Sequence, residues 1–199
     1  MNEEVKITRL FDLLGRLQVN YPKDDILAGK VNGSWRTYSS REYAELSHDF
    51  AYGFLELGLN AGDKVLTVMN NRPEWNFVDM GTALAGLVHV PVYTTLSEDD
   101  YLYIIPHSDA KVMIIGSAPL YRHLAPVIAK LENPPLVFTI DPADEVKNLD
   151  QIRQMGEQNR EKWMPVIENN KQVITPDTLL TIIYTSGTTG TPKGVMHAH

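Results

Sequence analysis

The chain has 199 residues, of which 43% are hydrophobic and 22% are charged, and it contains no cysteine. This composition is ordinary for a globular protein, and the lack of cysteine excludes disulfides and cysteine-rich zinc sites. The formal net charge of −7 argues against a nucleic-acid surface, and no stretch interleaves basic and aromatic residues. Because the N-terminus has no apolar signal segment and no apolar run is long enough to span a bilayer, we expect a cytoplasmic protein.

The first 60 residues are predicted to form a small lobe that contains a helix, a β-hairpin and a second helix. Apolar residues recur at helical spacing from Arg9 to Val19. Residues 26–38 contain an Asn-Gly pair between two short runs, which is typical of a β-hairpin turn. Ser39 and Glu42 form a capping box that starts the second helix, and Gly58 lies where that helix is expected to end.

Residues 61–199 alternate between predicted strands and helices, a pattern typical of a mostly parallel sheet with helices on both faces. The predicted strands are residues 65–69, 88–93, 111–116, 136–140 and 179–184. Pro73 starts one helix, and Ser97 with Asp100 caps the next. Residues 141–171 carry no clear motif, and we expect a peripheral helix and loops there. The predicted fold class is therefore α/β, with residues 1–60 and 61–199 as parts of one incomplete domain.

The helix that starts at Pro73 carries small residues in two pairs, each four residues apart. One pair is Gly81 and Ala85, and the other is Thr82 and Gly86. Residues at this spacing lie on the same side of a helix. We therefore expect this side of the helix to pack closely onto the sheet.

The most informative segment is Tyr184–Val195, which reads Tyr-Thr-Ser-Gly-Thr-Thr-Gly-Thr-Pro-Lys-Gly-Val. Its three glycines allow positive φ angles and a close approach to a ligand. Its hydroxyls and the ammonium of Lys193 supply donors and positive charge for an anion. The preceding residues 178–184 are apolar on both faces, like a buried parallel strand, and open α/β sheets bind ligands at the carboxyl ends of such strands. The segment therefore predicts a phosphate-binding loop. The predicted ligand-binding residues are Thr185, Ser186, Gly187, Thr188, Thr189, Gly190, Thr191, Pro192, Lys193 and Gly194.

This segment differs from the P-loop of ATPases, which has glycine directly before its lysine and serine or threonine directly after it. Here Pro192 precedes Lys193, and Gly194 follows it. An ordinary surface turn is the alternative interpretation, since glycine, serine, threonine and proline cluster in turns. The dense combination of glycine, hydroxyl and lysine favours a phosphate-binding role.

The segment from Tyr184 to Gly194 resembles the signature phosphate-binding loop of the adenylate-forming superfamily. This superfamily contains acyl-CoA synthetases, luciferases and the adenylation domains of peptide synthetases. Residues 70–75, 86–93 and 103–111 are similar, in order and spacing, to the long-chain fatty acid–CoA ligase branch. Pro106 departs from that branch, because the usual residue there would not end the helix so firmly. The resemblance covers nearly the whole chain but only the first part of such an enzyme, so we expect an N-terminal fragment of the adenylate-forming fold.

The resemblance implies an AMP-forming acid–thiol ligase whose cofactors and substrates are ATP, Mg²⁺, a fatty acid and coenzyme A. In this family a carboxylate attacks the α-phosphorus of ATP to give an acyl-adenylate, and the thiol of coenzyme A then displaces AMP. By the same resemblance, Lys193 stabilises the leaving pyrophosphate and Thr185 helps to hold Mg²⁺. The resemblance is also compatible with peripheral membrane contact of the parent protein. It does not indicate an oligomeric state. We expect the isolated chain to be inactive, because the groups expected to bind adenine, the acyl group and coenzyme A are not among its motifs.

Several alternatives remain open from the sequence. The complete protein could instead have the activity of an aryl- or short-chain acyl-CoA synthetase or of a peptide-synthetase adenylation domain. A different class of protein is a free-standing nucleotide-binding module, and a third is a truncated scaffold that associates through an exposed sheet edge. Trp35 and Trp75 are interpreted as packing groups, and the histidines before residue 130 have no assigned partner.

Overall fold

The computed structural model describes residues 5–31, 33–185 and 190–199. The helices are α1 (Asp12–Val19), α2 (Ser40–Glu56), α3 (Pro73–Ala85), α4 (Glu98–Ser108), α5 (Ala118–Ile128), α6 (Asp150–Gln158) and α7 (Arg160–Val173). The strands are β1 (Leu27–Val31), β2 (Ser34–Tyr38), β3 (Lys64–Val68), β4 (Val88–Val92), β5 (Ala110–Ile115), β6 (Leu136–Thr139), β7 (Lys147–Asn148), β8 (Leu179–Thr185) and β9 (Lys193–Ala198).

A seven-stranded sheet with the order β7-β6-β5-β3-β4-β8-β9 forms the centre of the molecule, and β1 and β2 form a separate hairpin. Strands β3 to β8 are parallel, whereas β9 runs antiparallel to β8. The predicted mostly parallel α/β sheet is therefore confirmed. Because these six strands point the same way, their carboxyl ends meet at one edge of the sheet, which we call the carboxyl edge.

Helices cover both faces of the sheet, as predicted, and neighbouring strand residues belong to opposite layers of the core. Val65 lies in the layer that contains Phe50 of α2 and Phe77 of α3. Leu66 lies in the other layer, with Tyr101 of α4 and residues of α5. Helices α1 and α2 share the first layer with the sheet. The division of the chain near residue 60 stays a prediction.

Local sequence signals set most helix starts. Ser39 and Glu42 form the predicted capping box of α2, in which the Glu42 amide donates to the serine hydroxyl and the Ser39 amide donates to the glutamate. Helix α3 starts at Pro73 and ends at Ala85, and its C-cap is Gly86, whose φ of +71° suits glycine. The expectation that Pro106 ends its helix is wrong, because α4 continues for two residues beyond it.

Gly81 of α3 packs against α2 and not against the sheet, so the prediction is wrong at this residue. A Cβ atom at Gly81 would lie 2.8 Å from the Phe50 Cβ and 3.1 Å from the Ser47 carbonyl oxygen, both in α2. The sequence pattern identified a close helix contact correctly but assigned it to the wrong partner. A spacing of four residues marks a side of a helix, and it contains no information about which element will cover that side.

Residues 141–171 are more ordered and more deeply packed than predicted. They contain α6 and most of α7, and Ile152 and Ile167 are fully buried. A Cβ atom at Gly156 would lie 1.8 Å from the Asp49 carbonyl oxygen, so α6 lies directly against α2. These helices form part of the core through Ile152 and Ile167, whereas Met164, Val166 and Val173 of α7 are exposed. No helix in the described part of the chain is long and apolar enough to cross a bilayer.

Candidate functional site

The predicted phosphate-binding segment lies at the carboxyl edge, where β8 turns back as β9. Strand β8 is an interior strand between β4 and β9, as predicted. Tyr184 pairs with Gly194, and Thr185 pairs with Lys193. Residues 186–192 therefore connect the two strands, and we call the Thr185–Lys193 pair the loop mouth. The expectation that the loop extends to Gly194 is wrong, because Lys193 and Gly194 already form backbone pairs in β9.

Only part of the loop belongs to the described residues. The predicted ligands Ser186, Gly187, Thr188 and Thr189 lie outside the described residues. Gly190 has a φ of +84°, a left-handed conformation that favours glycine. Gly190 and Thr191 are exposed, and Pro192 is half-buried.

The loop mouth brings together the hydroxyl of Thr185 and the ammonium of Lys193. Residues that are directly opposite in an antiparallel pair project from the same face of the sheet. Both residues are exposed, so their polar groups are accessible to a ligand. A hydroxyl and an ammonium on one face form a suitable pair for phosphate oxygens, because charged donors make the stronger hydrogen bonds to anions. The catalytic role of Lys193 and the metal-binding role of Thr185 stay predictions.

Tyr184 lies directly below the loop mouth and is buried, with 7% of its surface exposed. This burial raises the pKa of Tyr184. A Cβ atom at Gly194 would lie 3.3 Å from the Cζ atom of Tyr184. The tyrosine ring therefore lies over the glycine. The atom nearest to that Cβ position is the Ile182 Cγ2 at 2.9 Å, so a larger residue would require Ile182 as well as the ring to move.

A cavity of about 620 Å³ opens at the carboxyl edge beside β8. Its apolar lining comes from the ends of β3, β4 and β8 and from α3, namely Met69, Trp75, Pro91, Val92, Tyr93 and Ile183. Asn70 and Asn71 add polar amides to this lining. Sequence reasoning missed the cavity, although Asn70 and Asn71 follow one predicted strand and Tyr93 is the last residue of another, and so marked this edge. Trp75 packs as predicted, but Trp35 is 70% exposed, so its interpretation as a packing group is wrong.

Arg72 connects several strand ends at the same edge. Its guanidinium donates to the Gly116 carbonyl oxygen at 2.5 Å, to Asp141 at 3.1 Å and to Glu74 at 2.9 Å. Partial burial of the guanidinium lowers the pKa of Arg72, yet the carboxylates of Glu74 and Asp141 outweigh that effect and raise this pKa. The arginine of the 70–75 segment thus links the residues that follow β3, β5 and β6.

His89 forms a second network beneath the cavity, and its side chain is fully buried. Its Nδ1 donates to the Asp79 carboxylate at 2.7 Å, and its Nε2 lies 2.8 Å from the Thr67 hydroxyl. The hydroxyl of Thr181 donates to the His89 carbonyl oxygen at 2.8 Å. The Trp75 ring packs against the imidazole with centroids 5.2 Å apart. This histidine, which had no predicted partner, links β3, β4, β8 and α3.

Comparison with known proteins agrees with this architecture. The family model described as AMP-binding enzyme matches residues 17–199. A long-chain-fatty-acid–CoA ligase of Bos taurus is 30% identical over 84% of this chain, and fatty acyl-CoA synthetase A of Dictyostelium discoideum is 29% identical over 88%. The chain covers 23% and 26% of these two proteins, so it spans about a quarter of the curated relatives it matches.

Solved structures show the same fold. A structure described as a putative long-chain-fatty-acid CoA ligase from Rhodopseudomonas palustris has a TM-score of 0.69 at 20% identity, with 96% of this chain and 44% of that chain covered. The inhibitor-bound N-terminal domain of FACL13 from Mycobacterium tuberculosis has a TM-score of 0.66 at 24% identity, with 97% and 45% covered. At these identities the structures support the fold alone. From the family match over residues 17–199, the chain belongs to the AMP-binding enzyme family.

Proposed function

We propose that the complete protein that carries this chain is an ATP-dependent long-chain fatty acid–CoA ligase. In this proposal the β8–β9 hairpin supplies the grip on the phosphates of ATP. The main observation behind this proposal is the loop mouth, where Thr185 and Lys193 project from the same face of the sheet at its carboxyl edge. Support for the acyl class comes from the relatives, which are named as long-chain-fatty-acid–CoA ligases and fatty acyl-CoA synthetases.

Lys193 has its main role in the first half-reaction. A fatty-acid carboxylate attacks the α-phosphorus of ATP, the bond to the β-phosphate oxygen breaks, and pyrophosphate leaves. Negative charge grows on that leaving group, and the ammonium of Lys193 stabilises it electrostatically. In the second half-reaction the sulfur of coenzyme A attacks the acyl carbon, AMP leaves, and the thiol proton passes to solvent. No pyrophosphate takes part in that step.

Thr185 is proposed to help hold Mg²⁺. Its hydroxyl is a hard oxygen ligand, it is exposed at the loop mouth, and Mg²⁺ in nucleotide sites combines few protein oxygens with phosphates and water. These properties fit the metal chemically. When bound, the ion neutralises phosphate charge. The contribution of this chain would be to place one oxygen next to the lysine that contacts the same phosphates.

The complete protein should be tested with ATP, Mg²⁺, coenzyme A and a panel of carboxylic acids of increasing chain length. We expect AMP, pyrophosphate and acyl-CoA in equal amounts, with the highest kcat/KM for long-chain acids. Formation of ADP and phosphate would contradict the proposal. ATP binding without turnover of any acid would support the nucleotide-binding module instead.

The isolated 199-residue chain should be assayed in parallel. We expect no pyrophosphate release from it, because the chain spans only about a quarter of the length of the curated relatives it matches. Turnover above that of a Lys193→Ala control would contradict this expectation.

A further inference from the structure

Tyr184 is the last buried side chain before the loop mouth. Its ring belongs to the core layer formed by α4, α5 and one face of the sheet. Its partner across the ladder is Gly194, and the ring lies over that glycine. The Tyr184–Gly194 pair is next to the Thr185–Lys193 pair. The position of the ring therefore determines the spacing between β8 and β9 directly beside the loop mouth.

His107, in the last turn of α4, holds the hydroxyl end of Tyr184. Its Nδ1 lies 2.7 Å from the tyrosine hydroxyl oxygen. The hydroxyl donates when Nδ1 is unprotonated and accepts when Nδ1 carries a proton. The two rings meet edge to face, with centroids 5.7 Å apart and an interplanar angle of 82°. The hydrogen bond and the ring contact together fix the direction of the tyrosine side chain.

Tyr103 in turn holds the imidazole. It lies one helical turn before His107, and the two rings stack with centroids 5.0 Å apart at an angle of 27°. Residues four apart on a helix are neighbours on its surface, so this contact needs no other element. The imidazole is exposed to solvent but is bounded by a stacked ring and a hydrogen-bonded hydroxyl. A chain of contacts thus runs from Tyr103 through His107 and Tyr184 to Gly194.

We propose that His107 is a positioning residue for the phosphate loop, acting through Tyr184 on the Thr185–Lys193 pair. This inference rests on the proposed function. His107 lies on a helix that packs on the sheet and is separated from the loop mouth by the tyrosine side chain, so it acts without touching the nucleotide. Its contribution belongs to the half-reaction in which pyrophosphate leaves, because that step needs the lysine ammonium in a fixed place.

The two ring nitrogens allow a matched test. Asparagine places an amide where Nδ1 lies and can keep the bond to Tyr184, whereas the longer glutamine places its amide where Nε2 lies. We therefore compare His107→Asn with His107→Gln and His107→Ala in the complete protein. His123→Ala, an exposed histidine on α5, serves as the control for removal of an imidazole.

We expect His107→Ala and His107→Gln to lower kcat for acyl-adenylate formation about fivefold, as the loss of one partly exposed hydrogen bond suggests. His107→Asn and His123→Ala should keep adenylation within about twofold of the wild type. The rate of thioester formation from supplied acyl-adenylate should change less than about twofold in all four variants, since no pyrophosphate is present in that step.

Equal losses in both half-reactions would overturn the inference, because a general structural role predicts that result. Unchanged adenylation in His107→Ala would overturn it as well. If the wild type forms no acyl-adenylate, the proposed function fails, and pyrophosphate binding measured by calorimetry then decides the inference. A weaker affinity in His107→Ala than in His107→Asn would support positioning of the loop, and equal affinities would overturn it.

Discussion

The two halves of the carboxyl edge differ in how they are packed. On the side of β3 and β4, Val68 at the end of β3 is fully buried, and Arg72 and His89 form networks that join several strands. On the side of β9, Val195 is 42% exposed and Met196 is 71% exposed. Of the groups predicted to contact phosphate, Thr185 and Lys193 lie on the exposed half. The packed half fixes the position of the edge, and the exposed half leaves polar groups accessible to a ligand.

The largest expected effect on stability is at the packed half. His89→Ala should lower the free energy of unfolding on the order of 4 kcal/mol, because it leaves a cavity and deprives Thr67 and Asp79 of a buried partner. Urea unfolding of the 199-residue chain measures this, with His123→Ala expected to stay within about 0.5 kcal/mol of the wild type. A loss below about 1 kcal/mol would mean that this network does not hold the strands together.

At the exposed half, Lys193→Ala should reduce activity strongly and change stability little. Adenylation in the complete protein should fall about a hundredfold, since removal of one preorganised charge-stabilising donor typically costs on the order of 3 kcal/mol. Thioester formation from supplied acyl-adenylate should be affected much less, and the free energy of unfolding should change by less than about 0.5 kcal/mol. Equal loss in both half-reactions would indicate that Lys193 supports the fold and does not stabilise the leaving group.

The same contrast explains what could be predicted from the sequence. The capping box at Ser39, the helix start at Pro73 and the parallel strands depend on residues close in the chain, and they were predicted correctly. The return of the chain as β9 was missed, because glycine and proline predict a turn but do not specify that the following residues pair backward. The contact of Gly81 with α2 and the partners of His89 were missed for a related reason. They depend on which distant elements the fold brings together, and a single sequence does not contain that information in its local patterns.

Two glycines with similar backbone angles provide a sharper test of the loop. Gly190 has a φ of +84° and Gly33 a φ of +82°, and a Cβ atom at either position would meet no atom within 4 Å. Gly190→Ala and Gly33→Ala should therefore each cost about 1 kcal/mol of unfolding free energy, from backbone strain alone. Only Gly190→Ala should also weaken ATP binding to the complete protein, measured by calorimetry. Similar ATP affinities in the two variants would remove Gly190 from the proposed site.

The smallest effect is expected at Met196, the most exposed large apolar side chain of β9. Met196→Lys should change the free energy of unfolding of the 199-residue chain by less than about 0.5 kcal/mol, because the methionine side chain is mostly exposed and little buried surface is lost. A lysine on an edge strand should also reduce pairing between edges of separate molecules, which light scattering at increasing concentration measures. Val90→Lys, at a fully buried position of β4, is the matched control and should unfold the chain. A loss above about 1 kcal/mol in Met196→Lys would show that this face of β9 is packed in solution, and the contrast between the two halves of the edge would then be wrong.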